Sequence, residues 1–520
     1  MESLNSGDVP AVADLGLVRR KAKSASVPLA SDEASSMVRA SQLVGTSHDI
    51  LPKILGDLKD LIASESATWK GKFSQLLIVN RPFFHHGADV LWDTMDSLEP
   101  AFKLLPWFST PYTGIENHRY SGAADWERFI TYSSRIKSYV LSSPPNLHMD
   151  PPWFMELFTL PDRPDPMFPA LQRIHVSSSA LTGPPLLFLL IGPALRSLHL
   201  VLIKSSIAQD NALSILPRLT TSTPHLQTFQ YQGVFRPKLF LHVSKFASII
   251  SLDLGFLDGG DPRYLRDLRR LPHLERLTIH APTFDVKSGR EILLKPSLQS
   301  RSGLQTLRHQ SITASGYQQC LIATVLSPRK LHSVVLEIGN ATDAMAFHLC
   351  IGLYLSGNPS LRELVVSFKQ VDRTPAPPSQ SSTNRNDWPS AQVASGCFTH
   401  SLEASRHVQM LTITDMPPHI AILSYPNLIY ATNSWELLCT LHIQVALPAG
   451  AELQDAETRL FARLFPGLSF LASNVWKHFP NMENLELHFD GGLIAEEDIY
   501  NQTHPRALNL TMILTLSLIS

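Results

Sequence analysis

The sequence predicts an α/β chain: a solenoid of short strand-and-return units whose strands form a curved parallel sheet with outer helices, preceded by a small all-helical domain. Three observations predict it. Leucine supplies 78 of the 520 residues, well above ordinary usage. From residue 169 onward a proline-flagged unit with three apolar positions recurs. Ahead of it, residues 47–108 carry apolar stripes at helical spacing, cut into short lengths by prolines.

Composition narrows the class. The chain is 44% hydrophobic and 17% charged, and 44 Lys+Arg against 45 Asp+Glu leave a net charge of -1. That balance gives no basic footprint, so no nucleic-acid partner is expected. The four cysteines, Cys320, Cys350, Cys397 and Cys439, form no C-x-x-C pair. Neither a zinc knuckle nor a disulfide framework is expected, and a reducing intracellular setting, cytoplasm or nucleus, is. The wholly apolar run Leu186–Ile191 stops at Gly192-Pro193, and Ala507–Ile519 holds Thr511, Thr515 and Ser517. Both fall short of the roughly 20 residues a membrane span needs, so no membrane partner is expected.

The elements follow in order. Residues 1–46, rich in Ser, Ala, Asp and Lys, read as a disordered leader. Ser47 or Asp49 can cap a helix through Ile50, Leu51, Ile54, Leu55 and Leu58, with Pro52 in its first turn. A second helix runs from Trp69 to Asn80 and ends before Pro82, and a third spans Phe84 to Met95. A short fourth covers Ala101–Leu105, closing a helical domain over 47–108. Helices this short are marginal alone and must pack on one another or on a partner. Residues 109–168 form a linker in which Trp126, Phe129, Ile130, Ile136 and Tyr139-Val140 make one further helical stripe before a dense run of prolines.

The repeat occupies 169–520. It reads Pro169-Ala-Leu171-Gln-Arg-Ile174-His-Val176, then returns with Pro193, Pro224, Pro272, Pro359 and Pro480 in the leading position. Looser copies begin at Ile249, Leu304, Leu331, Val408 and Leu438. Three apolar residues at these offsets arise by chance about ten times in a chain this long, but with the leading proline fewer than about one copy is expected, well below the six copies named here. In L-x-x-L-x-L the last two apolar residues lie two apart and share one face of a strand. Starts at 171, 195, 226, 249, 274, 304 and 331 leave room for one strand and one return helix each, the architecture of a leucine-rich repeat. Residues 371–395, rich in Pro, Ser, Thr and Asn, read as a polar loop insertion. The asparagine position of standard repeats is not kept, so the turns must satisfy their backbone groups another way.

The helical segment Ile50-Leu51-Pro52-Lys53-Ile54-Leu55, followed by Val79-Asn80-Arg81-Pro82-Phe83 and Leu91-Trp92, resembles an F-box, and with the repeats the chain resembles fungal F-box proteins carrying irregular leucine-rich repeats. It departs from the F-box pattern at Lys53, at Asn80, and in the longer spacing between the first two helices. The resemblance implies a non-enzymatic substrate receptor of a cullin–RING ubiquitin ligase. The F-box would dock on the Skp adaptor and the ligase core through Leu51, Pro52, Ile54, Leu55, Val79, Leu91 and Trp92. The repeats would capture an unknown protein substrate on the concave sheet face, where Arg173, His175, His199, Gln230, Arg276, Thr278, Glu363 and Glu486 alternate with the buried positions. A leucine-rich-repeat scaffold with a degenerate F-box is the alternative reading.

No nucleophile elbow, Walker loop, H-E-x-x-H or dinucleotide fingerprint occurs. His85-His86 are adjacent and point apart on a helix, and Asp258-Gly-Gly-Asp261 reads as a strand-ending turn. No catalytic residue, metal or cofactor is expected.

Overall fold

The computed structural model describes residues 49–65, 69–78, 80–106, 124–141, 157–177 except 161, 185–201, 206–281 except 259, 304–326 except 305 and 315, 330–339, 344–369 and 398–416 except 404. It also describes the isolated positions 108, 420 and 424 and the strands 440–445, 484–489 and 512–517. The expected leader 1–46 and the polar insertion 371–395 lie outside these residues. Two compact units are present, Met1–Leu91 and Trp92–Ser520.

The smaller unit is helical: α1 Ile50–Glu65, α2 Trp69–Leu76 and α3 Arg81–Asp93, the last two residues of α3 belonging to the larger unit. On α1 the residues Leu51, Leu55, Leu58 and Ile62 fall on one stripe. Leu51 and Leu55 are buried there with Phe73 and Leu77. The turn into α3 differs from expectation. Asn80 Oδ1 accepts a hydrogen bond from Phe83 N at 2.9 Å, an N-cap, and Pro82 sits in the first turn of α3. Asn80 and Pro82 are therefore start signals for α3, and α2 ends at Leu76 rather than Asn80.

Among the described residues the larger unit is built on one 14-stranded sheet. Its strands are β1 Thr94–Met95, β2 Ser138–Leu141, β3 Arg173–Ser177, β4 Ser197–Val201, β5 Thr228–Gly233, β6 Ser251–Phe256 and β7 Arg276–His280. They continue with β8 His309–Ala314, β9 Ser333–Gly339, β10 Glu363–Lys369, β11 Met410–Met416, β12 Thr440–Val445, β13 Asn484–Phe489 and β14 Met512–Ser517. From β1 to β12 the order in space is the order in sequence and every pairing is parallel. Helices and, over Pro262–Arg270, a 3₁₀ helix form the returns, among them Ser206–Ser222, Pro237–Val243, Gly316–Leu326 and Ala344–Gly357.

Register explains the leucine excess. Ile174, Leu198, Phe229, Leu252 and Leu277 are successive partners across β3–β7, and Val176, Leu200, Tyr231, Leu254 and Ile279 form the next such row. All ten are buried in one core that also takes Leu239, Phe240, Leu265 and Leu268 from the returns. Each such side chain contributes about 1.5–3 kcal/mol relative to exposure.

The strands are joined at their starts by a carbonyl ladder. The carbonyls of Lys137, Gln172, Arg196, Gln227, Ile250, Glu275, Arg308, His332 and Arg362 each accept two N–H groups from the next unit, at 2.8–3.0 Å. Ser248 and Thr306 add hydroxyl bonds of 2.8 Å to the carbonyls of Leu226 and Leu274. Backbone groups at these turns are thus satisfied without an asparagine ladder.

Several expectations are corrected. The stripe over Trp126–Val140 is a helix only over Ala124–Ser133; Ser138–Leu141 is β2. Ile136, Tyr139 and Leu141 are in fact the apolar triplet of a repeat, unflagged because no proline leads it. The unit placed at Leu304 starts at Leu307: Arg308 and His309 donate to Glu275 O, and Gln310 and Ile312 occupy the two buried strand positions. The helix expected at Ala101–Leu105 spans Glu99–Phe102, and Leu98, Ala101, Phe102 and Leu105 belong to the core of the larger unit rather than to a helical domain over 47–108.

The copy at Pro480 does not extend the parallel series either, because β14 lies between β12 and β13, antiparallel to both. Its alternate apolar residues Met512, Leu514 and Leu516 fall in register with Val445, Ile443 and Leu441 and with Phe489, Leu487 and Leu485. Period-two alternation fits such rows in either chain direction.

Candidate interaction surfaces

The apolar arc of α1 is wider than its core contacts use. Beside the buried stripe runs a second one, offset by about a quarter turn, made of Ile50, Ile54 and Leu61. These are 47%, 42% and 58% exposed, and Ile78 and Phe84 of the same unit are exposed as well. Of the residues expected to dock a partner, Ile54 is on this open stripe, whereas Leu51 and Leu55 are core. Pro52 and Leu91 are half-buried, and Val79 lies outside the described residues. Trp92 belongs to the larger unit, half-buried against its core, with its ring 5.0 Å from that of Tyr132. Ile50, Leu61 and Ile78 were not among the expected docking residues; the signal for the first two is a helix apolar on two adjacent stripes where one suffices.

On the sheet the second surface is the face opposite the buried rows. All-parallel sheets are ordinarily covered on both faces. Here alternate residues stay half-exposed and polar, the pattern of a repeat array with one open face. The expected residues fall into two register rows. Arg173, Ser197, Thr228, Ser251, Arg276, His309, Ser333 and Glu363 form the first, and His175, His199, Gln230, Asp253, Thr278 and Ser311 the second. Arg173 and Arg276 are exposed, and His175, His199, Gln230, Thr278 and Glu363 are half-buried. Glu486 is on β13 next to β14, outside these rows.

A polar network crosses the middle of this face. The His175 and His199 rings meet edge to face at 5.8 Å, and Ser197 Oγ lies 3.1 Å from His199 Nε2. His280 Nε2 stands 3.9 Å from Asp253 Oδ1, an ion-pair distance too long for a hydrogen bond, and among the described residues that oxygen has no hydrogen-bond partner. Thr313 donates its single hydroxyl proton to Glu337 Oε2 at 2.7 Å. Toward His280 Nδ1, 2.9 Å away, it therefore accepts, which assigns the proton to Nδ1. Burial holds the Asp253 carboxyl above the usual carboxylate range, with His280 and His199 opposing. Burial, with His175 adding to it, holds the His199 imidazole below its usual value, and Asp253 opposes. Asp253, His280, Thr313 and Glu337 were not expected as site residues. Asp253 could have been found by carrying the His199 register position into the looser copy at Ile249.

Two carboxylates and two thiols elsewhere in the larger unit do structural work. Asp258 Oδ1 accepts from Phe235 N at 2.6 Å and Asp261 Oδ1 from Arg263 N at 2.9 Å, so the Asp258–Asp261 turn caps backbone. Cys320 and Cys350 are buried free thiols; burial first and then Cys320 push the Cys350 thiol well up, away from the thiolate a nucleophile needs. Among the described residues no three His, Cys, Asp or Glu side chains come together as a metal site. Among them, too, no helix is long and apolar enough to cross a membrane. No protein-family model matches the chain, and no curated protein is similar to it in sequence.

Proposed function

We propose that this chain is a substrate receptor of a cullin–RING ubiquitin ligase, its small helical unit an F-box-like module that docks on the Skp adaptor and its repeats a leucine-rich-repeat scaffold that holds the protein to be modified. The observation that carries this reading is the open apolar stripe of Ile50, Ile54 and Leu61 beside a small core that, among the described residues, centres on Leu51, Leu55, Phe73 and Leu77. So thin a core gains by burying a second stripe against another protein. The half-exposed polar sheet face, mixed in charge, suits protein capture. Such a receptor needs no catalytic residue: it raises the effective concentration of target lysines near an enzyme bound elsewhere.

Co-expression of the full chain with a Skp adaptor, followed by size-exclusion chromatography, tests the proposal. A stoichiometric complex is expected, and Ile54→Glu should abolish it without shifting the melting temperature. A folded chain that fails to bind would instead favour the scaffold reading, for which the departures at Lys53 and Asn80 speak; Asn80, capping α3, has a local structural reason to be there.

A further inference from the structure

The strand-start edge of the sheet carries a cleft of about 540 Å³ across β8–β11, and its lining is cationic. Arg308, His332 and Arg362 occupy the same position in three consecutive units, each just ahead of its strand. Two strand spacings, about 10 Å, separate the two arginines. His309 adds a further imidazole, and Glu363 is the one carboxylate of the lining. Both arginines are exposed, and among the described residues neither has an ion-pair partner. Lys137, at the corresponding position of the β2 unit, is by contrast held by Asp93 at 3.2 Å.

The backbone decides what kind of anion fits. Phosphate sites draw heavily on free main-chain N–H groups. Here the N–H groups of His332, Ser333, Arg362, Glu363, Gln409 and Met410 are all engaged by the carbonyl ladder. Recognition is left to side chains, and the guanidinium fork matches a planar carboxylate with two parallel hydrogen bonds. Glu363 repels a dianion more than a monoanion. The open cleft ends at Gln409 and Met410, which can take the polar and apolar parts of a polypeptide.

We propose that this cleft docks an acidic polypeptide segment, Arg308 and Arg362 each taking an aspartate or glutamate carboxylate. The inference rests on the reading of the larger unit as a protein-capturing scaffold and names the chemistry of what it captures.

The test is fluorescence anisotropy of a labelled oligoglutamate peptide with the full chain at low salt. Binding should weaken as salt is raised. The Arg308→Gln/Arg362→Gln double variant should lose at least about tenfold in affinity, and Glu363→Gln should bind tighter than wild type. Arg196→Gln, on the same edge but outside the cleft, should bind as wild type does. An unchanged affinity in the double variant, equal binding of an oligolysine peptide, or displacement by inorganic pyrophosphate at lower concentration than by unlabelled oligoglutamate would each overturn the inference. Adaptor binding is measured on the same samples. Peptide binding lost with adaptor binding kept sinks this inference alone; the reverse sinks the ligase reading and leaves the cleft standing.

Discussion

Leu55 and Ile54 are neighbours in sequence with opposite fates, one fully buried and the other 42% exposed. Leu55→Ala is expected to cost about 2–5 kcal/mol, the range for a buried leucine, read as a lowered melting midpoint of the helical unit. Ile54→Ala should stay within about 0.5 kcal/mol of wild type. Composition could not separate the two; the helix periodicity could, once the stripe that meets Phe73 and Leu77 is known. His199 gives a pH signature. Its folded pKa is depressed, so the unfolded chain takes up a proton below the usual 6.5 while the folded one does not. This residue's contribution to stability is therefore complete above that pH and declines as pH falls below it. His199→Gln should flatten the acid side of the stability profile measured by urea titration between pH 5 and 7. A steeper decline in the variant would contradict the assignment.

Among elements, the proline-flagged copies at 169, 193, 224, 272 and 359 were legible as strands β3, β4, β5, β7 and β10, because two apolar residues two apart after a rigid lead-in have few other uses. Element boundaries were less legible. Ile136-Lys-Ser-Tyr139-Val-Leu141 carries the same triplet with no proline, and its tyrosine and isoleucine also fit a helical stripe. Leu304 and Leu307 each meet the pattern only in part, because His309 and Gln310 fall on their apolar positions, and only pairing with β7, through Glu275 O, chooses between them. The ladder also explains where proline is tolerated. Pro272 lies two residues before Leu274 and ahead of the first ladder donor, Glu275, whereas Arg276 N donates to Ile250 O at 3.0 Å. Arg276→Pro should therefore cost at least about 1–3 kcal/mol from that bond alone, seen as a lower urea midpoint. A Pro272→Ala variant should change the midpoint far less.

At the scale of the whole molecule, the α/β class and the sequential parallel order were readable because each repeat buries its leucines only against its neighbours. The reversal at β14 was not, since alternation carries no direction. On the open sheet face, residue types could be read unit by unit, but the His199–Asp253–His280 grouping depends on register across β4, β6 and β7. The F-box-like reading rests on how the small helical unit completes its burial. Hydrogen–deuterium exchange of the full chain with and without the Skp adaptor tests that most directly. Slowed exchange confined to peptides spanning Ile50–Glu65 and the segment from Phe73 to Phe84 is the predicted result. Unchanged exchange in those peptides with the adaptor present at saturating concentration, or protection confined to β3–β7, would contradict it.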